Sequence, residues 1–353
     1  MLAQDLLKQG KPAEALSALQ DHVRKAAASA KERVFLFQLL SVLGRWDRAL
    51  TQLNVAADLD KANEMMAKVC REAIQCEALR AAVFRGEKSP LIFGEPEEWI
   101  GQMVQAARLS GQGHAGAASE LRAKALESAP GVAGAITVAE QSAESTKTKE
   151  KEEAFEWVAD ADARLGPMIE AVIQGKYYWV PMHRIRLMAI DPPTDLRDVV
   201  WLPCNFTWTN GGSVVGLLFT RYPGSESSAD GLVQLARKTD WSEDASGASI
   251  GLGQRMLMTD AGDYPILGVR TLRLGGPLTE EEQQNLLLEK MAKSGGIPGM
   301  GQAPGGPPVQ FSGGLTAKMP GGAPGKPGDG AGSGGGAGGR RAVHARACHR
   351  RAA

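Results

Sequence analysis

The chain has 353 residues, enough for about two domains, and its 40 basic and 40 acidic residues give a formal net charge of zero. This balance favours neither a nucleic-acid partner nor an acidic membrane surface. No apolar run is long enough to span a bilayer, the N-terminus lacks a signal-peptide pattern, and the four cysteines are scattered, so the composition predicts a soluble cytoplasmic protein.

A short motif recurs at a fixed spacing near the N-terminus. Leu6–Leu19 aligns with Leu40–Leu53, 34 residues later, and both copies keep one Gly, one Ala and three Leu. A third copy begins at Gly113, which lies 69 residues after Gly44, or about two periods. A period of 34 residues is typical of the tetratricopeptide repeat (TPR), in which a turn joins two antiparallel helices. The motif therefore predicts a TPR-like α-solenoid over residues 1–139, although an ordinary helical bundle with coincidental spacing remains an alternative.

Two further helices are predicted between the second and third copies of the motif. Asn63–Phe84 has apolar residues at helical spacing, and another helix begins near Pro96, where acidic residues occupy the first turn. The loop of residues 85–95 separates these helices and interrupts the repeat. The helical part is therefore expected to be irregular.

The composition changes at residues 140–154, which are polar, carry charges of both signs and predict a charged linker. Residues 155–275 differ again, because they hold 12 of the 19 aromatic residues and several strand-like segments. Strands are predicted at Ile185–Ile190, Ser213–Thr220, Leu252–Met258 and Val269–Leu274, and helices at Ala163–Gln174 and Ser228–Lys238. Because strands outnumber helices and the two do not alternate, we expect a β-rich α+β domain on a mainly antiparallel sheet.

The C-terminal part of the chain has a third character. Thr279 and Glu282 form a capping-box pattern, which predicts a short helix to about Lys293. In residues 295–339, 26 of 45 residues are Gly or Pro. A segment of that composition cannot bury enough apolar surface to offset its ordering entropy, so residues 276–353 are predicted to be a low-complexity, largely disordered tail.

Four polar residues of the β-rich domain are candidates for a ligand site. Asp160 and Asp162 look like paired ligands for a hard cation, but two acids just before a helix are also typical helix caps. Arg221 and Ser225 stand at a predicted helix start, where an anion can bind, although capping by Ser explains the pattern as well. The residues alone leave both alternatives open.

The remaining motifs do not assemble a catalytic set. Gly251–Gly253 lacks the third glycine and the strand–turn–helix context of a dinucleotide loop. His183 is the only histidine of the β-rich domain, and no Ser or Cys there lies in a nucleophile-elbow motif. His344, Cys348 and His349 resemble a metal cluster but fall in the predicted tail. The sequence therefore predicts no catalytic, cofactor-binding or metal-binding residues, and it leaves the partner-binding residues unknown.

Several long segments together resemble one known protein family. They are RVFLFQLLSVLGRWDRALTQLNVAADLD (Arg33–Asp60), REAIQCEALRAAVFRGEKSPLIFGEPEEW (Arg71–Trp99), FEWVADADARLGPMIEAVIQGKYYWVP (Phe155–Pro181), PPTDLRDVVWLP (Pro192–Pro203) and TRYPGSESSADG (Thr220–Gly231). In this order they resemble the ImpE/TagJ family of accessory proteins of bacterial type VI secretion systems, over roughly residues 1–274. The charged linker looks longer than in the family, and the Gly/Pro-rich tail has no counterpart there.

The resemblance implies a cytoplasmic adaptor that binds the N-terminal helix of the small contractile-sheath subunit. It also implies a link to the ATPase that disassembles the contracted sheath, and hence a role in sheath assembly or recycling. Solenoids of helical hairpins form concave surfaces on which an amphipathic helix can dock, which agrees with this role.

Two other interpretations remain open. In the first, the β-rich domain is an enzyme with a small-molecule site near Asp160, Asp162, Arg221 and Ser225, and the solenoid is its targeting arm. In the second, the protein is a scaffold that dimerises through the aromatic-rich domain. An enzyme requires a deep pocket with converging polar groups, whereas an adaptor uses its polar residues in caps and turns.

Overall fold

A computed structural model describes residues 1–141 and 148–294 of the chain. Within these residues, a helical part comes first and a sheet-rich domain follows, so the fold is α+β. The helices are α1 (Leu2–Lys8), α2 (Pro12–Lys25), α3 (Ala30–Val42), α4 (Trp46–Leu59), α5 (Glu64–Phe84), α6 (Glu98–Gly111), α7 (Ala115–Ser128), α8 (Gly231–Gln234) and α9 (Glu280–Ser294). No helix in the described ranges combines the length and the apolar character needed to cross a membrane.

The strands form one large sheet and two small ones. They are β1 (Leu91–Ile92), β2 (Gly134–Gln141), β3 (Thr148–Phe155), β4 (Val158–Asp160), β5 (Met168–Ile173), β6 (Lys176–Pro181), β7 (Ile185–Ile190), β8 (Trp201–Trp208), β9 (Ser213–Phe219), β10 (Thr239–Glu243), β11 (Ser249–Gly253), β12 (Met256–Thr259), β13 (Asp263–Pro265) and β14 (Val269–Leu274). The large sheet has nine strands in the order β1-β6-β5-β9-β8-β7-β14-β2-β3, and all its pairs are antiparallel except β1 with β6.

The helices pair as hairpins at the predicted turns. Gly10, Gly44 and Gly113 lie between α1 and α2, α3 and α4, and α6 and α7, with φ of 76°, 62° and 85°. These left-handed values explain why glycine occupies each turn. Ala49 and Leu53 of α4 are fully buried, as the repeat motif predicts. The two helices predicted after the second copy of the motif are confirmed as α5 and α6.

The predicted linker is instead largely strand. Residues 148–155 form β3, which pairs along its whole length with β2 and lies at one edge of the large sheet. Its charged residues at positions 149–152 are exposed, and charge is how natural edge strands avoid pairing with other chains. Because these residues do not alternate between apolar and polar, the sequence pattern did not predict this strand. Residues 134–139, assigned to the helical part, belong to β2 of the same hairpin.

Two of the predicted helices were wrong. Within Ala163–Gln174 the chain forms strand β5, in which all six residues are buried. A strand covered on both faces is continuously apolar, so periodicity alone cannot distinguish it from a helix. In Ser228–Lys238 only the four residues of α8 are helical, and Ala236 has a left-handed φ of 52° soon after its end.

Three of the four predicted strands are present. β7, β9 and β14 are confirmed, and the segment Leu252–Met258 is divided between β11 and β12. The predicted capping box is also present: the Thr279 backbone N–H donates to Glu282 Oε2 at 2.7 Å, and the Glu282 N–H donates to Thr279 Oγ1 at 3.2 Å. It begins α9.

One hydrophobic core joins the helical part to the large sheet. It runs from residues such as Phe37 and Leu53 to Trp201 and Leu272 without a break. α3 is buried from Val34 to Val42, because it packs between its neighbouring helices and the turn that precedes β8. α5 packs on β6. The helical hairpins therefore face this chain's own sheet.

Candidate functional site

A group of buried charges lies where α5 meets the sheet. Arg80 of α5 donates from Nε and Nη2 to the two carboxylate oxygens of Glu170 on β5, both at 2.8 Å. Arg255 also pairs with Glu170, and its other terminal nitrogen pairs with Asp160. All four residues are at most 4% exposed, so two guanidinium groups and two carboxylates balance inside the protein. We call these four residues the buried charge network.

The network fixes Glu170 in its ionised form. Burial alone raises the pKa of a carboxyl, but the guanidinium groups of Arg80 and Arg255 outweigh burial and hold the pKa of Glu170 at about 2. The Tyr177 hydroxyl donates to the same carboxylate, and the Trp179 Nε1–H donates to the Tyr177 oxygen at 2.7 Å. A carboxylate so fully paired has no proton to give at neutral pH and no lone pair aimed at a substrate.

Asp160 occupies the other end of the network. Burial raises its pKa to about 6, although Arg255 opposes this shift. Asp160 Oδ1 accepts from the Asp162 backbone N–H at 2.9 Å and from the Tyr222 hydroxyl at 3.1 Å. A raised carboxyl pKa is a common mark of an active site, but here each oxygen already has a structural partner.

The other predicted site residues also form hydrogen bonds with groups of the protein itself. Asp162 accepts from Arg164 Nε at 2.9 Å and from the Gly251 backbone N–H at 3.0 Å. Arg221 donates to the carbonyl oxygen of Val42 at 2.8 Å, at the end of α3. Ser225 donates to the Tyr222 carbonyl at 2.6 Å and accepts from the Gly253 N–H at 2.7 Å. Asp160 and Asp162 are therefore adjacent, whereas Arg221 points towards the helical part.

Neither the glycine motif nor the histidine forms a catalytic group. A Cβ at Gly251 would overlap the Tyr222 ring, so this glycine permits close packing. His183 Nε2 lies 2.9 Å from Glu97 Oε1, and Arg184 pairs with the same carboxylate at 2.6 Å. Burial lowers the pKa of His183 below its ordinary value, although Glu97 opposes this effect.

The described part of the chain contains no cluster of metal-ligating side chains. Residues 1–141 and 148–294 contain no group of three or more His, Cys, Asp and Glu side chains that could hold an ion. His344, Cys348 and His349 lie outside the described residues. The structure therefore offers no arrangement in which a metal could be placed from residues that it describes.

The contacts between the two parts of the chain were not predicted from the sequence. Glu77 of α5 lies 3.5 Å from Arg80 and accepts from the Trp201 Nε1–H at 3.0 Å. The Trp201 ring lies 5.8 Å from that of Trp46 on α4. One signal was available: Arg80 falls three residues before the buried Val83, so it shares the apolar face of α5.

A second feature lies at the opposite end of the large sheet, under α9. A cavity of about 290 Å³ separates this helix from strands β2, β3, β7 and β14. The strands contribute Thr137, Glu150, Glu152, Leu187, Thr271 and Arg273, and we call these six residues the α9 face. None of the candidate residues predicted from the sequence lines it.

Comparisons with known proteins agree with this fold. A sequence profile described as ImpE protein matches residues 152–273. The type VI secretion system accessory component TagJ of Pseudomonas aeruginosa is 42% identical over 272 residues, which cover 77% of this chain and 90% of the relative. The crystal structure of protein VPA1032 from Vibrio parahaemolyticus has a TM-score of 0.67 at 24% identity, covering 79% of this chain and 99% of that one.

The last of these similarities shows a shared fold only, because its sequence identity is low. The similarity to TagJ is high and spans almost the whole relative. Together with the matching profile, it shows that the chain belongs to the ImpE/TagJ family of type VI secretion accessory proteins.

Proposed function

We propose that the protein is a non-enzymatic cytoplasmic adaptor that binds the N-terminal helix of the small contractile-sheath subunit of a type VI secretion system. In this role it assists assembly or recycling of the sheath, and the sheath-recycling ATPase is a further partner. TagJ of Pseudomonas aeruginosa, the relative that is 42% identical, is an accessory component of a type VI secretion system, which supports an accessory role for this chain.

The observation that carries the non-enzymatic part of the proposal is how the buried polar groups are used. Asp160, Asp162, Arg221 and Ser225, the best candidates for a small-molecule site, all bond to other groups of the protein. An enzyme site instead needs polar groups that converge on a cavity. The described cavity under α9 lies elsewhere and is lined by different residues.

The helical part supports binding of a helical partner. We interpret it as a TPR-like array, because Gly10, Gly44 and Gly113 adopt the same left-handed conformation at equivalent turns. The helical part also presents large apolar side chains to solvent, among them Leu2, Met65 and Leu59, which are 65%, 57% and 43% exposed. Exposed apolar side chains are what an amphipathic partner helix would cover.

A direct titration tests the proposal. A fluorescent peptide that copies the N-terminal helix of the small sheath subunit is titrated with the full chain, and its anisotropy is recorded. Burying one apolar face of about four helical turns removes several large side chains from water, so we expect a dissociation constant in the micromolar range, roughly −8 kcal/mol.

The control is a peptide of equal length and charge in which the apolar-face residues are replaced by Ser. It should not bind, because the free energy of binding comes mainly from the apolar face that the parent peptide buries. An unchanged anisotropy for the parent peptide at about 100 µM protein, far above the expected dissociation constant, would refute the proposal.

A further inference from the structure

The helix α9 is held to the sheet mainly at its first turn. Arg186 of β7 donates from Nε to Glu282 Oε1 at 2.7 Å and from Nη2 to Glu282 Oε2 at 2.9 Å. The same guanidinium donates to the carbonyl oxygens of Leu274, Gly276 and Pro277, at 2.7, 2.8 and 2.7 Å. One arginine thus fixes both the connection to α9 and the first turn of that helix.

Beyond this first turn, α9 packs loosely. Among its side chains from residue 280 to 288, Glu282 and Leu286 are partly buried and the others are exposed. Leu287 and Leu288 are 58% and 56% exposed. The cavity of about 290 Å³ lies beneath Leu286, against the α9 face. Of the described side chains of α9, only Leu286 lines this space, together with Leu278 of the connection, so the helix covers the face incompletely.

The connection to α9 permits it to move. Gly275 has a left-handed φ of 82°, and the space where a Cβ of Gly276 would lie is open. Arg273 of β14 holds the carbonyl oxygen of Gly276 at 3.0 Å. These two glycines are the positions at which the connection would bend if the ion pair between Arg186 and Glu282 were broken.

The interface between the helical hairpins and the sheet domain is not available to a partner helix. The helical hairpins face the sheet domain, and this interface is filled by Trp46 against Trp201 and by Arg80 against Glu170. A helix cannot enter there without unfolding the buried charge network. The α9 face, by contrast, is already covered by a helix that fits it incompletely.

We infer that the α9 face is the docking surface for the partner helix, and that α9 is an autoinhibitory strap which occupies the face until that helix displaces it. This inference rests on the proposed function. The helix that fits is amphipathic, with a carboxylate in its first turn to meet Arg186 and a large aliphatic residue four positions later. α9 itself supplies this pattern through Glu282 and Leu286.

The test compares three full-length proteins for binding of the fluorescent sheath-subunit peptide. Leu286→Asp places a charge over the cavity and loosens the strap, so the peptide should bind about tenfold more tightly than to the parent. Leu287→Asp is the matched control, since it adds the same charge one residue away at an exposed position. Its affinity should equal that of the parent.

A second substitution tests the location. Thr137→Trp fills the cavity from the strand side, and in the Leu286→Asp background it should abolish the gain in affinity. Thermal unfolding confirms that each variant is folded. Hydrogen exchange gives an independent measurement: amides of residues 283–288 in the parent should exchange faster when the peptide is bound, because α9 has left the face.

The outcomes separate the two proposals. If the peptide binds the parent but Leu286→Asp binds it no better than Leu287→Asp does, the strap inference is wrong and the adaptor proposal stands. Unchanged or slower exchange in α9 on peptide binding also overturns the inference. If no protein binds the peptide, the proposed function fails and the inference fails with it.

Discussion

Glu170 accepts hydrogen bonds from three buried side chains, those of Arg80, Arg255 and Tyr177. A carboxylate that faces two guanidinium groups in a buried site is held there by charge balance, because an unpaired buried charge is far more costly than a paired one. The residue thus links the helical part of the protein to the sheet.

Replacing Glu170 tests this role. Glu170→Gln keeps the shape but removes the carboxylate shared by the buried guanidinium groups of Arg80 and Arg255, which are left with Glu77 and Asp160 respectively. We expect the free energy of unfolding to fall by about 3–5 kcal/mol, measured by chemical denaturation. The matched control is Glu87→Gln, which breaks the exposed pair with Arg85 and should leave the denaturation midpoint unchanged. Equal midpoints for both variants would contradict a stabilising role.

The acid dependence of this difference follows from the pKa of Glu170. In the folded protein that pKa is about 2, below the ordinary value of roughly 4.3 in an unfolded chain. The stabilisation is therefore present above about pH 4 and is lost as the pH falls towards 2. The difference in the free energy of unfolding between the parent and Glu170→Gln should therefore decrease over that pH range.

At the scale of elements, the sequence predicted the helical part well and the sheet unevenly. The motif around Gly44 identified a turn and its buried neighbours, because a left-handed turn and a small residue at a helix contact each require particular amino acids. Strands β3 and β5 were missed for opposite reasons, the first being an exposed charged edge and the second being buried on both faces.

The candidate site was less predictable than the elements. The sequence identified Asp160 and Asp162 as a pair of carboxylates, but it did not predict their ion-pair partners Arg255 and Arg164. Arg255 lies 95 residues from Asp160 in the chain, and only the fold brings them together. The use of these acids as structural pairs therefore emerged from tertiary contacts.

Packing between α3 and α4 can be tested at Ala49. Its side chain is fully buried, so Ala49→Glu places an unpaired carboxylate in the interior. We expect the free energy of unfolding to fall by about 3 kcal/mol, with a lower melting temperature. The control Thr51→Glu adds the same charge at an exposed position of α4 and should melt with the parent. Equal melting of Ala49→Glu would argue against this hairpin packing.

At the scale of the whole molecule, the helical part and the sheet domain share their interior. Arg221 reaches the end of α3 through Val42, and Arg237 donates to the carbonyl oxygen of Leu7 on α1 at 2.9 Å. The same hydrophobic core contains side chains of both parts. Either part alone would expose this core and leave members of the buried charge network without partners.

The full chain should accordingly unfold in a single cooperative transition. Far-UV circular dichroism follows mainly the helices, whereas tryptophan fluorescence follows mainly the sheet domain, which holds five of the seven tryptophans. Because the two parts stabilise each other through one core, both signals should change at the same denaturant concentration. A fluorescence midpoint displaced from the circular-dichroism midpoint would show that the two parts unfold independently. Glu170→Gln, which weakens their interface, is the variant in which the two midpoints should first separate.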